Sequence, residues 1–185
     1  MTISDQAKER VAAVLLPGDA AVDATMGNGW DLLFLAEQVG ADGRVFGFDV
    51  QSEALAATRK RLQKAEVLER CELHQMGHEN MGEVVPVGVG AVMFNLGYLP
   101  YAGREVVTLR ETTLQALGTA VRLLKRGGIL TVICYRGHPG GAEEAEAVWA
   151  WFQTQKENAQ VTGPISFPEN FPEGEGPFLL TLTKS

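Results

Sequence analysis

The chain has 185 residues, 45% hydrophobic and 21% charged, with a formal net charge of −7. That length predicts one domain spanning residues 1–185 with a full core. The composition is that of a globular protein. The acidic balance argues against a surface coated everywhere in nucleic acid, and no apolar run reaches the roughly 18 residues of a membrane span.

Met1 to Gln6 shows neither a basic nor an apolar signal region, so a cytoplasmic location is expected. Cys71 and Cys134 are far apart and form no metal-ligand cluster; they read as buried thiols, and no metal is expected. Residues 4–15 read as a helix capped by Ser4 or Asp5, with Ala7, Val11, Val14 and Leu15 near helical spacing. Pro17-Gly18-Asp19 ends it. Strand one is predicted at 20–24, a helix from about 31 to 39, and strand two at 44–49. Ser52 reads as the N-cap of a helix over 53–65. Cys71 to His74 is a weaker strand, followed by a loop or short helical turn at Gly77 to Met81. Val89 to Phe94 reads as a buried strand, 108–125 as a helix, Ile129 to Tyr135 as a strand after the Gly127-Gly128 turn, and 142–156 as a helix. Apolar runs near Ile165–Phe167 and Phe178–Leu182 predict a closing hairpin. Alternating strands and helices predict an α/β fold: a mostly parallel, Rossmann-like sheet of seven strands with helices on both faces and a C-terminal antiparallel hairpin.

The polar motifs all follow predicted strands, where open α/β sheets bind ligands. Asp23-Ala24-Thr25-Met26-Gly27-Asn28-Gly29-Trp30-Asp31 joins the first strand to the first sheet-packed helix through a glycine turn. Such a turn lets a ligand approach the backbone and the N–H groups of the helix start. Asp49 falls 20 residues after Gly29, at the tip of strand two, where a carboxylate suits ribose hydroxyls. Leu32 stands where the dinucleotide fingerprint has its last small residue, so the turn fits a ligand without a pyrophosphate, such as S-adenosylmethionine. Asn95-Leu96-Gly97-Tyr98-Leu99-Pro100 gives a rigid polar loop whose Asn can accept a hydrogen bond from a substrate N–H and whose Tyr can stack on a base. Tyr135-Arg136-Gly137-His138 adds a candidate proton acceptor or substrate contact, His138, and a phosphate partner, Arg136. Two basic groups, Arg59-Lys60-Arg61 with Lys64 and Arg122 with Lys125 and Arg126, read as solvated helix faces or local RNA contacts.

These motifs, with Phe48-Asp49-Val50-Gln51 and the Tyr135-to-Gly141 loop, resemble those of a small bacterial family of class I S-adenosylmethionine-dependent methyltransferases, long labelled rRNA methylases, across residues 20–145. The resemblance implies methylation of a tRNA wobble uridine, converting 5-aminomethyl-2-thiouridine at position 34 to its methylaminomethyl form. It places S-adenosylmethionine against Met26, Gly27, Asn28, Gly29 and Asp31, with Asp49 and Gln51 at the ribose and His78 near the adenine. Asn95 and Tyr98 would face the transferred methyl group and the amine. Asn95, Tyr98, Tyr135 and His138 are the implied catalytic residues; Tyr98, Pro100, Arg104, Arg136 and His138 are the implied substrate contacts. Where the family runs Gly-Gly-Asp-Lys-like, this chain has Tyr101-Ala102-Gly103-Arg104. The expected partner is the anticodon loop of tRNA. Ribosomal RNA, a small amine, a non-catalytic binding role and a homodimer stay open.

Overall fold

The computed structural model describes residues 1–97, 107–156, 165–166, 168, 171–172, 174 and 176–185. Its elements are α1 (Ile3–Ala12), β1 (Ala20–Asp23), α2 (Trp30–Val39), β2 (Arg44–Asp49), α3 (Ser52–Lys64), β3 (Cys71–Gln75), β4 (Val89–Asn95), α4 (Arg110–Leu123), β5 (Leu124–Cys134), α5 (Gly141–Lys156), β6 (Ile165–Ser166) and β7 (Phe178–Thr183). Single 3-10 segments cover Leu68–Arg70 and His78–Glu83. Among the described residues the sheet has seven strands in the order β3-β2-β1-β4-β5-β7-β6. The first five are parallel; β7 runs antiparallel to β5 and to β6, as the apolar runs of the tail predict.

Side chains alternate across the sheet with period two. Ala21, Val45, Ala91, Met93, Ile129 and Ile133 pack with α1, α2 and α3 through Val11, Leu32, Leu35 and Leu62. Val22, Phe46, Phe48, Val92, Phe94, Leu130 and Val132 pack on the other face with Met81, Leu117, Ala120 and Phe152. Burial on both faces explains why β1, β2, β4 and β5 are nearly continuous apolar runs rather than alternating ones. The strand order reverses between β1 and β4, and this switch point opens a crevice at the carboxyl ends of the strands.

Four boundaries differ from the sequence expectation. The cap of α1 is Thr2, not Ser4 or Asp5: the Thr2 hydroxyl accepts from the Asp5 N–H at 3.1 Å and the Asp5 carboxylate accepts from the Thr2 N–H at 2.8 Å, a reciprocal capping box. The helix stops at Ala12, three residues short of the predicted end. Ser52 is not the cap of α3; it opens the helix after Gln51, whose N–H donates to Asp49 Oδ1 at 2.9 Å in an Asx-type turn. Finally, β5 begins at Leu124 rather than after Gly128. Its pairing with β4 steps from Val89–Leu124 to Ala91–Ile129, so the extra residues bulge, with Gly127 at φ 77°.

Candidate active site

A cavity of about 700 Å³ lies at the switch point, lined by Met26, Gly27, Asn28, Trp30 and Asp31 from the first turn, Asp49 and Gln51 from the second, His78, Asn95 and Gly97, and Tyr135 and His138 from beyond β5. That volume is in the range of small-molecule sites. Of the residues singled out in the sequence, these surround one space. Gly29 is buried behind the wall instead. It has φ 77°, and a Cβ there would sit 2.6 Å from Thr58 Oγ1, so only glycine lets the turn lie this close to α3. The helix clamps the turn from that side: Thr58 donates to the Gly27 carbonyl at 2.8 Å and Arg61 Nε to the Asn28 carbonyl at 2.7 Å.

Asp49 links the two turns. One carboxylate oxygen accepts from the Gly27 N–H at 3.1 Å, the other from the Gln51 N–H. Each oxygen keeps a further acceptor position. Burial pushes the Asp49 carboxyl upward from its ordinary range, and those two N–H groups oppose the shift. Asp31, buried, forms an ion pair with Lys8 at 3.0 Å and accepts from Asn95 Nδ2 at 3.4 Å. A carboxylate only accepts, so the Asn95 NH₂ must face it, which leaves the amide oxygen for the cavity. The Asn95 main-chain N–H donates to Thr25 Oγ1 at 2.7 Å, fixing the residue from both ends.

His78 is buried, not solvent-facing. Its Nδ1 donates to the Ala24 carbonyl at 3.2 Å and its ring meets Phe94 edge-on; burial lowers its pKa, so it is neutral at pH 7. His138 is also buried, and its Nδ1 donates to the Pro139 carbonyl at 3.1 Å, an arrangement that in the neutral ring leaves Nε2 as the acceptor. Burial and the Asp31 charge raise the Tyr135 phenol, keeping it protonated. Arg136 points elsewhere: it donates to the Pro172 and Gly176 carbonyls and lies 5.5 Å from the Phe171 ring centre, tying down the C-terminal segment. Tyr98, Pro100 and Arg104 lie outside the described residues. In the second basic group, Lys125 pairs with Asp19 at 2.6 Å and Arg122 donates to Thr119 at 2.8 Å.

Two contributors, Asp23 and Glu144, were not singled out as site residues from the sequence. Asp23, at the end of β1, is fully buried; desolvation first, then the charges of Asp31 and Asp49, hold its carboxyl well above the usual range. Its place at the head of the glycine motif was the available signal. Glu144 of α5 accepts from the Thr108 and Thr113 hydroxyls, each at 2.6 Å, and the Thr108 Oγ1 accepts in turn from the Gly97 N–H at 3.0 Å. Thus a buried carboxylate anchors the loop after Asn95. Because Thr108 and Glu144 are 36 residues apart, no local pattern announces the contact. Cys134 is buried and Cys71 partly so, its thiol pushed up to about 11.

A doubly wound sheet of this order, with an acidic residue at the tip of β2 and a polar loop after β4, defines the Rossmann-like fold of S-adenosylmethionine-dependent methyltransferases. Residues 45–169 match the family described as "Putative rRNA methylase", and the chain belongs to that family. It is 42% identical over 148 residues to the chloroplastic tRNA (mnm(5)s(2)U34)-methyltransferase of Arabidopsis thaliana, covering 75% of this chain. The chain spans about half, 54%, of that relative's length. A solved protein of Clostridium thermocellum described as "putative rRNA-methylase" is 39% identical with a TM-score of 0.92, covering 100% of this chain and 98% of that one. A Streptococcus mutans methyltransferase solved with SAH is 32% identical, with a TM-score of 0.84, covering 100% and 99%. No helix among the described residues is long and apolar enough to cross a membrane.

Proposed function

We propose that this protein is an S-adenosylmethionine-dependent RNA methyltransferase that methylates the aminomethyl nitrogen of 5-aminomethyl-2-thiouridine at the tRNA wobble position. The observation that carries the reading is Asn95. Its amide oxygen is turned to the cavity because Asp31 holds its NH₂. An acceptor at that place suits a substrate N–H and leaves the nitrogen lone pair free for attack.

The donor set fits the cofactor. Asp49 retains acceptor positions for two hydroxyls, Phe48, Val50 and Met76 offer an apolar wall for a base, and Asp31 offers a negative charge for a cation. When bound, the cofactor supplies a methyl group on a sulfonium, a leaving group that needs no general acid. Asn95 then orients the incoming amine. Methylation would leave the product nitrogen as a secondary ammonium that must lose a proton. His138, with Nε2 as its acceptor, is the group we assign to receive it. Tyr135 stays protonated and closes that side of the cavity as a donor. A wobble base is already unpaired and can enter such a cleft without opening a duplex. The one continuous sheet supports reading residues 1–185 as a single domain.

The test is methyl transfer from labelled S-adenosylmethionine to tRNA from cells blocked after aminomethyl formation, with nucleoside analysis. A new methylaminomethyl uridine is expected. The Asn95→Ala variant should lose about 100-fold or more in turnover, the scale of one positioned polar group, while still binding cofactor. Absence of transfer by wild type that binds SAH would overturn the substrate assignment and direct the search to ribosomal RNA or small amines.

A further inference from the structure

Trp30 is the first residue of α2 and lines the cavity, yet it is 61% exposed. A large aromatic ring at the rim of a cleft offers a flat apolar face to whatever enters it. One face is covered already: the Arg61 guanidinium lies 3.2 Å from the ring centre, and Arg61 is itself fixed by its bond to the Asn28 carbonyl. With one face under Arg61, the exposure belongs to the opposite face and the edge. The indole is therefore a pre-oriented plane beside the cleft. Lys60 and Lys64 are exposed one helical turn apart on α3, and Lys64, three residues on from Arg61, is its neighbour on the helix surface. None of these three cations takes part in an ion pair with an acidic side chain among the described residues. This is a cationic stripe on a chain of net charge −7.

We propose that Trp30, backed by Arg61, is a stacking platform for an unpaired nucleobase next to the target nucleotide, and that Lys60 and Lys64 hold the adjoining phosphates of single-stranded RNA. Flat π surfaces stack on any base, and lysines beside them track the backbone. The inference rests on the RNA reading above and adds where the strand lies.

The experiment measures binding of a dye-labelled anticodon stem-loop by fluorescence anisotropy, with a fully paired RNA of equal length as reference. Wild type, Trp30→Ala, Trp30→Phe and the double variant Lys60→Ala/Lys64→Ala are compared, and SAH affinity and tRNA methylation are measured on the same preparations. Trp30→Ala should weaken loop binding about 5- to 150-fold, the span of one base–aromatic stack, without a matching loss on the duplex; Trp30→Phe should retain most of the affinity. The double lysine variant should flatten the log–log salt dependence by about 1.4. Wild-type loop affinity in Trp30→Ala overturns the proposal, as does an equal loss on the duplex or a matching loss of SAH affinity. Wild type that methylates tRNA while Trp30→Ala binds normally refutes this inference alone. Wild type that binds the loop through Trp30 yet transfers no methyl to tRNA upholds it and refutes only the wobble assignment.

Discussion

Replacing Asn95 by aspartate tests the electrostatics on which the cleft depends. Asn95 Nδ2 lies 3.4 Å from an Asp31 oxygen, so Asn95→Asp places two carboxylates at that separation. With an effective dielectric constant near 20, two like charges so close repel by about 5 kcal/mol. Lys8, 3.0 Å from the other Asp31 oxygen, offsets part of this. The protein can also escape by taking up a proton. Keeping a carboxyl protonated against an ordinary pKa near 3.9 costs about 4 kcal/mol at pH 7 and about 1.5 kcal/mol at pH 5. These values cap the penalty. The sign follows from linkage: the folded-state pKa of the new pair is raised, so stability is full below about 3.9 and is lost as the pH rises toward the folded value. Asn95→Ala removes the contact without adding charge, and its loss should not depend on pH in this window. Urea unfolding of both variants at pH 5 and pH 7 gives the gap between them. Asn95→Asp should fall further below Asn95→Ala at pH 7 than at pH 5, by up to about 2.7 kcal/mol. A gap that is the same at both pH values would refute the juxtaposition of the Asn95 side chain with the Asp31 carboxyl.

Gly29→Ala meets two penalties, a left-handed backbone and a Cβ 2.6 Å from Thr58 Oγ1. It should lose more than the roughly 1–2 kcal/mol of the backbone alone, and adding Thr58→Ala should recover only the steric part, read by urea midpoint. Glu144→Gln weakens two hydroxyl contacts to a charged acceptor and should cost about 1.5–3 kcal/mol. Methyl transfer should fall with it while SAH affinity is kept, because Glu144 supports the loop at Gly97 rather than the cofactor side of the cleft. Asp23 has a folded pKa raised by burial, so its contribution is full below about 3.9 and is lost as pH climbs toward the folded value. Asp23→Asn should therefore gain thermal stability relative to wild type between pH 4 and pH 7; a constant difference in Tm would show that Asp23 ionises normally.

What could be read in advance divides by the range of the interaction. The glycine turn, Asp49 and the Asn95 loop announce themselves because a strand end, a tight turn and a helix start are contiguous in sequence. The crevice was predictable because parallel sheets place such ends together. The N-terminal cap was misplaced because Thr2 and Asp5 act as a pair, and attention to the nearest cap-forming residue hides a partner three positions back. The start of β5 was missed because Gly127-Gly128 reads as a turn, whereas here the glycines sit in a bulge within the strand. Arg136 looked like a phosphate ligand from its loop position, yet distant carbonyls at Pro172 and Gly176 claim it. Glu144 was invisible for the same reason: its hydroxyl partners come from the segment before α4 and from α4 itself.

The acidity of the cleft raises one demand that Lys8 answers. Asp31 and Asp49 line the cavity with Asp23 buried behind them, which suits a cationic cofactor but works against the amine of the proposed substrate, which must arrive neutral. A negative field raises an amine's pKa and lowers its reactive fraction. Burial, which raises the Asp23 carboxyl, works against charge there, and the ion pair of Lys8 with Asp31 moderates the charge nearest Asn95. Lys8 sits on α1, outside the cavity wall, with its side chain about a quarter exposed, so it can be changed without emptying the core. Lys8→Met should then shift the acid limb of the turnover–pH profile upward by up to about one unit, because the amine of the proposed substrate would hold its proton more tightly. At high pH, where the amine is neutral in either protein, the two rates should converge. A lower rate by a constant factor at every pH would mean that Lys8 merely supports the packing of α1, and the electrostatic account of the cleft would fail.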